Sequence, residues 1–485
     1  MDIVSIQLQI SPKALYLRLS DSLEEMVESG QIKDSERLPP IRKLASQLNL
    51  SISTVIAAYQ YLENKGLVYS KKGSGTYVLP QNRIVMEDDV ARDALPQYDN
   101  LYIPHDAINL AGSTPGSDMF PTEDFKVAIN GVLDTEGGNA FTYQESEGYE
   151  GLRTELAIYV NDAFSTDRYR AEDILITSGA QQAIDLISKV LIRPNDVVLV
   201  ENPSYIGAGS TFKSRGAKII GVPMEEDGIN LDVLKYYVQR YQPRFLYTIP
   251  VYHTPTGVCL SGEKRKELLQ LADKHNFFIL EEDINSDLNL EGEKILPLKS
   301  EDTYDRVIYV KSFSKIFMPG IRTGFMIAPR SISHDLANAK YITDISTSGL
   351  IQRSLCNYFQ SGSWRDHLKT ISKTYRERME AAYASISSWE SKGVSFKKPK
   401  GGFGFWLKLP EKIKDHEMHD LCLSNLVLVA KGSNFYISPM HGYDQYLRVS
   451  YATSGIGEIE AGLKIIENCL NILLERKTKR SFLNF

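Results

Sequence analysis

The segment Lys311-Ser312-Phe313-Ser314-Lys315, with Pro319-Gly320-Ile321-Arg322-Thr323-Gly324 close behind it, is the part of this chain best equipped for covalent chemistry. A lysine at the end of an apolar strand, with a hydroxyl three residues before it and an arginine seven after, suits a phosphorylated aldehyde. The Lys315 amine can form a Schiff base while the Ser312 hydroxyl and the Arg322 guanidinium hold the phosphate. A second kind of chemistry gathers far ahead of it. Residues 31–80 hold seven basic side chains (Lys33, Arg37, Arg42, Lys43, Lys65, Lys71, Lys72) against three acids (Asp34, Glu36, Glu63), a local +4. The whole chain carries −6, so any contact with nucleic acid must be local, and this is where phosphates would be met.

These groups need a large scaffold. At 485 residues, two or three domains are expected, and 42% hydrophobic with 24% charged residues is the balance of a soluble globular protein. The four cysteines lie far apart without CxxC spacing, which excludes an obvious zinc site and points to reduced thiols in a cytoplasm. The first residues, MDIVSIQLQI, turn polar too early for a signal peptide, and no apolar run reaches membrane-spanning length. A cytoplasmic location with no metal and no membrane contact is the expectation.

Apolar spacing predicts a helix over 12–29, then a short helix through Ile41, Leu44, Ala45 and Leu48 and a tight turn at Asn49-Leu50. A further helix opens at Ser51 or Ser53, runs through Val55, Ala58, Tyr59 and Leu62, and stops at Gly66. Leu67–Ser70 and Thr76–Leu79 flank Lys71-Lys72-Gly73-Ser74-Gly75 and read as a hairpin. Residues 80–107 lose periodicity and collect prolines and acids, as a linker does. Beyond them seven short apolar runs, from Ile174–Thr177 to Gly324–Ala328, alternate with helical patterns. Their unbroken apolarity predicts strands buried on both faces of a mostly parallel sheet. After about residue 335 a long helical stretch and separated strands (Gly404–Leu409, Val427–Ala430, Leu447–Ser450) predict a smaller α+β domain.

Two helices about a short turn and a glycine-tipped basic hairpin describe a winged helix-turn-helix, whose second helix enters the major groove. The wording Arg37-Leu38-Pro39-Pro40-Ile41-Arg42-Lys43-Leu44-Ala45, Ser51-Ile52-Ser53-Thr54-Val55 and Gly73-Ser74-Gly75-Thr76-Tyr77-Val78 resembles the GntR family of bacterial regulators. The resemblance assigns Arg42, Lys43, Ser51, Ser53, Thr54 and the wing (Lys71, Lys72, Gly75) to double-stranded operator DNA. Ile52 stands where family members often carry arginine, which removes a base contact.

The rest of the chain resembles fold type I aminotransferases, α/β proteins with a large domain and a small C-terminal α+β domain. Together the two halves follow the plan of the MocR-type branch of the GntR family. The resemblance implies domains at 8–80 (winged helix-turn-helix), 81–107 (linker), 108–335 (large) and 336–485 (small), with pyridoxal 5'-phosphate as cofactor. Lys315 matches the Schiff-base lysine, and Ser312 and Arg322 match phosphate-binding positions. Ser178-Gly179-Ala180-Gln181 adds free backbone N–H groups at a strand-to-helix junction, which suit a phosphate. Tyr205 matches the aromatic residue that stacks on the cofactor ring. Arg448 matches the arginine that grips a substrate carboxylate, a task suited to a planar fork of donors. Tyr143, with Gly148 and Leu152-Arg153, matches a segment that closes over the pocket, often from a partner subunit.

Two segments depart from the family pattern, at three residues. Glu281-Glu282-Asp283-Ile284-Asn285 puts Glu282 where an aspartate partners the ring nitrogen and Asn285 where a tyrosine stands, and a register slip would use Asp283 instead. Thr254 replaces an asparagine that bonds the cofactor's phenolic oxygen. Both changes weigh against fast turnover more than against binding. The sequence therefore reads as a homodimeric, domain-exchanged regulator that senses an amino compound or the cofactor itself. An active aminotransferase with an accessory DNA-binding arm is the rival reading.

Overall fold

The computed structural model describes residues 14–71, 73–79, 106–292, 294–438 and 440–482. Residues 8–13 of the expected DNA-reading domain, Lys72 of its wing and residues 81–105 of the expected linker lie outside them. Three helices and a hairpin come first: α1 (Leu15–Glu28), α2 (Ile41–Gln47), α3 (Ile52–Asn64), β1 (Val68–Lys71) and β2 (Gly75–Val78). Leu19, Leu23 and Met26 of α1 bury against Val55, Ala58 and Leu62 of α3. Of the two serines that might open α3, Ser51 is the cap, accepting from the Thr54 N–H at 3.0 Å. Gly66 ends the helix at φ +74°, a left-handed conformation that favours glycine. The strands β1 and β2 pair antiparallel with Lys71 opposite Gly75.

The large domain opens with β3 (Ile108–Asn109), α4 (Thr122–Glu136) and α5 (Glu150–Phe164). Alternating elements follow: β4 (Leu175–Thr177), α6 (Ala180–Leu191), β5 (Val197–Asn202), α7 (Ile206–Ser214), β6 (Lys218–Glu225), β7 (Gly228–Ile229) and α8 (Leu231–Tyr241). Next come β8 (Phe245–Thr248), α9 (Gly262–His275), β9 (Phe278–Asp283), β10 (Val307–Ser312) and β11 (Gly324–Ile327). Their sheet has the order β4-β11-β10-β9-β8-β5-β6-β7. Its centre is parallel, while β11 runs antiparallel to both β10 and β4, and β7 to β6. The continuous apolar runs are buried on both faces. Side chains of α6 and α7 cover one face, and those of α8 and α9 the other.

After the sheet come α10 (Arg330–Asp344), α11 (Gly349–Gln360), α12 (Ser363–Ile386), β12 (Gly404–Lys408), α13 (Asp415–Ser424), β13 (Val427–Leu428), β14 (Ala430–Lys431), β15 (Tyr446–Ser450) and α14 (Ile456–Phe482), and Ile332 and Leu336 of α10 pack into the same core as α6. The single strand expected over Val427–Ala430 is two. β13 pairs parallel with β3, where the Ile108 and Leu110 N–H groups reach the Leu426 and Leu428 carbonyls, while β14 joins β12 and β15. A two-residue pairing carries no periodicity, so only the folded chain reveals that Ile108–Asn109 is stitched to a strand over 300 residues later.

The winged module packs on the large domain of its own chain. Tyr69 and Leu79 are buried together with Leu231, Val233 and Tyr237 of α8. The Tyr236 hydroxyl and the Arg240 guanidinium donate to the Glu63 and Asn64 carbonyls, each at 3.3 Å.

Candidate functional site

Lys315 follows the last residue of β10 by three positions, and its amine donates to the Ser113 hydroxyl at 2.8 Å. Its pKa is lowered to about 8, first by burial and then by the Arg448 charge, with Glu282 pulling the other way. A lysine held that low supplies more neutral, nucleophilic amine near pH 7 than a surface lysine does. The neighbouring Lys311 points to the opposite side of the sheet and is locked to Asp283 (3.1 Å) and Asp287 (2.6 Å).

The candidate phosphate ligands converge on one turn. Gly179 stands before α6 at φ +79°, and the Arg322 guanidinium lies over it, donating to the Ser178 carbonyl at 3.0 Å. A Cβ on Gly179 would come within 2.9 Å of that guanidinium, so glycine keeps the cradle open. Ala180 and Gln181 bring the first helical N–H groups, whereas the Gln181 side chain is committed to Thr211 at 2.7 Å. Ser312 is buried beside the turn, its hydroxyl accepting from the Ser314 N–H at 3.3 Å.

The strand alternation of β9 separates three consecutive acids. Glu281 accepts from the Leu298 and Lys299 N–H groups at 2.6 and 2.7 Å. Asp283 turns to Lys311, Tyr309 and Ser286. Glu282, between them, accepts from the Tyr247 hydroxyl and interacts with Lys315. Of the two carboxylates left open by the sequence, Glu282 is therefore the one on the Lys315 side. Burial raises its pKa to about 7 against the pull of Tyr247 and Lys315. The two other departures from the family pattern touch each other: Asn285 Nδ2 donates to the Thr254 hydroxyl at 3.2 Å and to the Tyr252 carbonyl at 2.7 Å. Asn285 Oδ1 is buried without a hydrogen-bond partner among the described residues. Tyr205 caps α7 with its ring partly exposed.

Arg448 lies on β15, its guanidinium 5.0 Å from the Phe435 ring centre and 5.6 Å from that of Phe403. One Nη donates to the Ala111 carbonyl, while Nε is buried without a partner among the described residues. Among the described residues no carboxylate pairs with it, and burial alone lowers its pKa to about 10. A structural ion pair does not account for this arginine.

Sequence reasoning missed Ser113, the Ala111 carbonyl and Tyr247. Ser113 and Ala111 lie about 200 residues or more from the side chains they bond, and Tyr247 is one apolar letter within a buried strand. No local pattern marks any of the three.

On the winged module Arg42, Lys43, Ser51 and Ser53 are exposed, and Thr54 partly so. Their hydroxyls cluster, Ser51 Oγ lying 2.8 Å from Ser53 Oγ and 2.7 Å from Thr54 Oγ1. Ile52 is 49% exposed on the same helical turn. Gly75 has φ +132°, and a Cβ there would meet Arg37 Nε at 2.6 Å. The Lys71 amine, expected at DNA, is paired with Asp232 of α8 in this arrangement. Among the described residues no cluster of three or more His, Cys, Asp or Glu could hold a metal, and no helix is long and apolar enough to cross a membrane.

Comparison with known proteins divides the chain in the same way. Residues 15–78 match the family described as bacterial regulatory proteins, gntR family, and residues 107–466 match aminotransferase class I and II. The HTH-type transcriptional regulator YcxD of Bacillus subtilis is 30% identical over 93% of this chain and 98% of its own. The probable rhizopine catabolism regulatory protein MocR of Rhizobium meliloti is 27% identical over 76% of each. The crystal structure of the α-aminoadipate aminotransferase LysN of Thermus thermophilus, complexed with N-(5'-phosphopyridoxyl)-L-leucine, aligns with a TM-score of 0.71. It is 31% identical, covering 77% of this chain and 94% of that one.

Proposed function

Because the chain belongs to the MocR-type branch of the GntR regulators, a winged helix-turn-helix fused to a class I and II aminotransferase-like domain, we propose that it reads an amino acid and reports it to DNA. It is a DNA-binding transcriptional regulator whose large domain takes pyridoxal phosphate. The cradle at Gly179 and Arg322, the lowered Lys315 amine and the orphaned Asn285 Oδ1 fit that group in donor and acceptor chemistry. Gly179, Ala180, Gln181, Ser312 and Arg322 would hold its phosphate, Lys315 its aldehyde carbon, Glu282 its ring nitrogen, Tyr205 its ring face, and Thr254 with Asn285 its phenolic oxygen. When bound, it supplies an aldehyde that condenses with amines and a ring that draws electrons from them.

The observation that carries the effector class is Arg448. A buried guanidinium whose Nε is unused and which has no acid beside it among the described residues is a ready partner for a carboxylate on the ligand. The effector is then an amine that also bears a carboxylate. A route to the DNA module supports the coupling. Asn202, three residues before Tyr205, bonds Ile437 N at 2.9 Å and the Ser438 carbonyl at 3.1 Å. The His441 N–H, a few residues on, donates to Asp34 of the winged module at 3.1 Å. Movement at the ring-stacking segment would bias where the module sits. Phe141, Tyr143, Tyr341 and Ile342 are large apolar side chains left exposed, which supports a homodimer. In a domain-exchanged dimer the surface on α8 would receive the partner's module instead of its own. The regulator acts on DNA, so its place is the cytoplasm.

Titrating the cofactor-loaded protein with amino compounds tests this. Amino acids should change its visible spectrum and its operator affinity, and Arg448→Leu should keep the cofactor yet lose the response. Equal responses to amines with and without a carboxylate would overturn the effector class.

A further inference from the structure

Tyr247 stands in β8, beside β9, with its side chain fully buried and its ring edge-on to Phe212 at 5.8 Å. Its hydroxyl donates to one carboxylate oxygen of Glu282. The other oxygen of Glu282 accepts no hydrogen bond among the described residues. Neighbouring acids do not compete for the phenol, since Glu281 is spent on backbone N–H groups and Asp283 on Lys311, Tyr309 and Ser286. Glutamate has one more rotatable bond than aspartate, so a buried glutamate without a fixed partner would present its charge at no single point.

We infer that Tyr247 is a positioning residue, anchoring one oxygen of Glu282 so that the other is presented to the ring nitrogen of pyridoxal phosphate. This rests on the cofactor reading above. The phenol is pushed well above its ordinary pKa, first by burial and then by the Glu282 charge, so it remains a donor throughout the working range. The arrangement gives the longer acid the fixed aim that a shorter acid has by length alone. It also opposes the burial that favours protonated Glu282.

The test is a double-mutant cycle on the full chain, read by pyridoxal phosphate affinity and by circular dichroism of the bound cofactor. Tyr247→Phe should weaken affinity about tenfold and diminish the cofactor's dichroism, because a hydrogen bond to a charged group is lost. In a Glu282→Gln background the same change should cost less than about twofold. Unchanged affinity and dichroism in Tyr247→Phe would overturn the inference, as would losses that simply multiply in the double variant. Should the phenylalanine variant not fold, 3-fluorotyrosine at position 247 is an isosteric, stronger donor and should lower the pH midpoint of the cofactor's absorbance, and an unmoved midpoint overturns the inference equally. A wild-type protein that binds no pyridoxal phosphate would instead sink the cofactor reading, and the inference with it.

Discussion

The winged module and the cofactor pocket handle charge in opposite ways. Arg42, Lys43 and the serines at the start of α3 stand in water, where each is cheap to hold and worth little alone. Lys315, Glu282 and Arg448 stand in surroundings where burial leads the causes moving each pKa from its ordinary range. A DNA surface gains affinity by summing many screened contacts with phosphates, so losing one is tolerated. A pocket of few unscreened charges has no such redundancy. The two regimes meet at Lys71 and Asp232, an ion pair partly exposed on both sides. A pair of that kind is weak enough to be exchanged for a phosphate.

Breaking the pocket should give the largest effect. Lys315→Ala is expected to abolish the visible absorbance of cofactor joined to the protein, and an unchanged spectrum would remove Lys315 from its assigned role. On the DNA side, Arg42→Ala combined with Lys43→Ala should weaken operator binding about 10- to 100-fold near physiological salt, and should reduce the slope of log affinity against log salt by about 2. Gel-shift titrations at several salt concentrations measure both, and an unaltered slope would take these residues off the phosphates.

A pH experiment sharpens the contrast. The folded chain raises Glu282 from its ordinary 4.5 to about 7, so the stability this group contributes is present below about pH 4.5 and is lost as pH rises through 7. Cofactor-free Glu282→Gln should therefore gain on the wild type between those limits, on the order of 1–3 kcal/mol. The comparison must be between variants, because Glu281 is raised to about 7 as well. Parallel denaturation curves at every pH would contradict the buried, proton-holding carboxyl. The smallest effect is expected at the junction. Asp232→Asn frees Lys71 and should tighten operator binding by no more than about fivefold. Weaker binding would mean that Asp232 orients the wing rather than withholding its lysine.

The winged helix-turn-helix was legible because its apolar spacing, its glycines and its local charge are all properties of short stretches. Leu19, Val55 and Leu62 meet where helical spacing puts them, and Gly66 and Gly75 take the backbone angles their positions demand. The grouping of Lys315, Ser312 and Arg322 was legible for the same reason, since one strand and the turn after it hold all three. The splitting of Val427–Ala430 was not, because pairing with β3 joins segments over 300 residues apart. Ser113 beneath the Lys315 amine and Ala111 beneath Arg448 escaped for that reason too.

The amino-acid sequence by itself determined which residue types are present: a locally basic winged module, a lysine with a hydroxyl and an arginine at close spacing, a further arginine late in the chain, and the family to which they belong. Tertiary structure alone decided how those groups are used. It chose Glu282 over Asp283 for the Lys315 side, because strand alternation sends consecutive residues to opposite faces and Lys311 claims the second acid. Among the described residues it left Arg448 without an acid, and it tied Lys71 to Asp232. Residue type sets what a group can do, but its charge state and its partner depend on neighbours that only folding brings within a few ångströms.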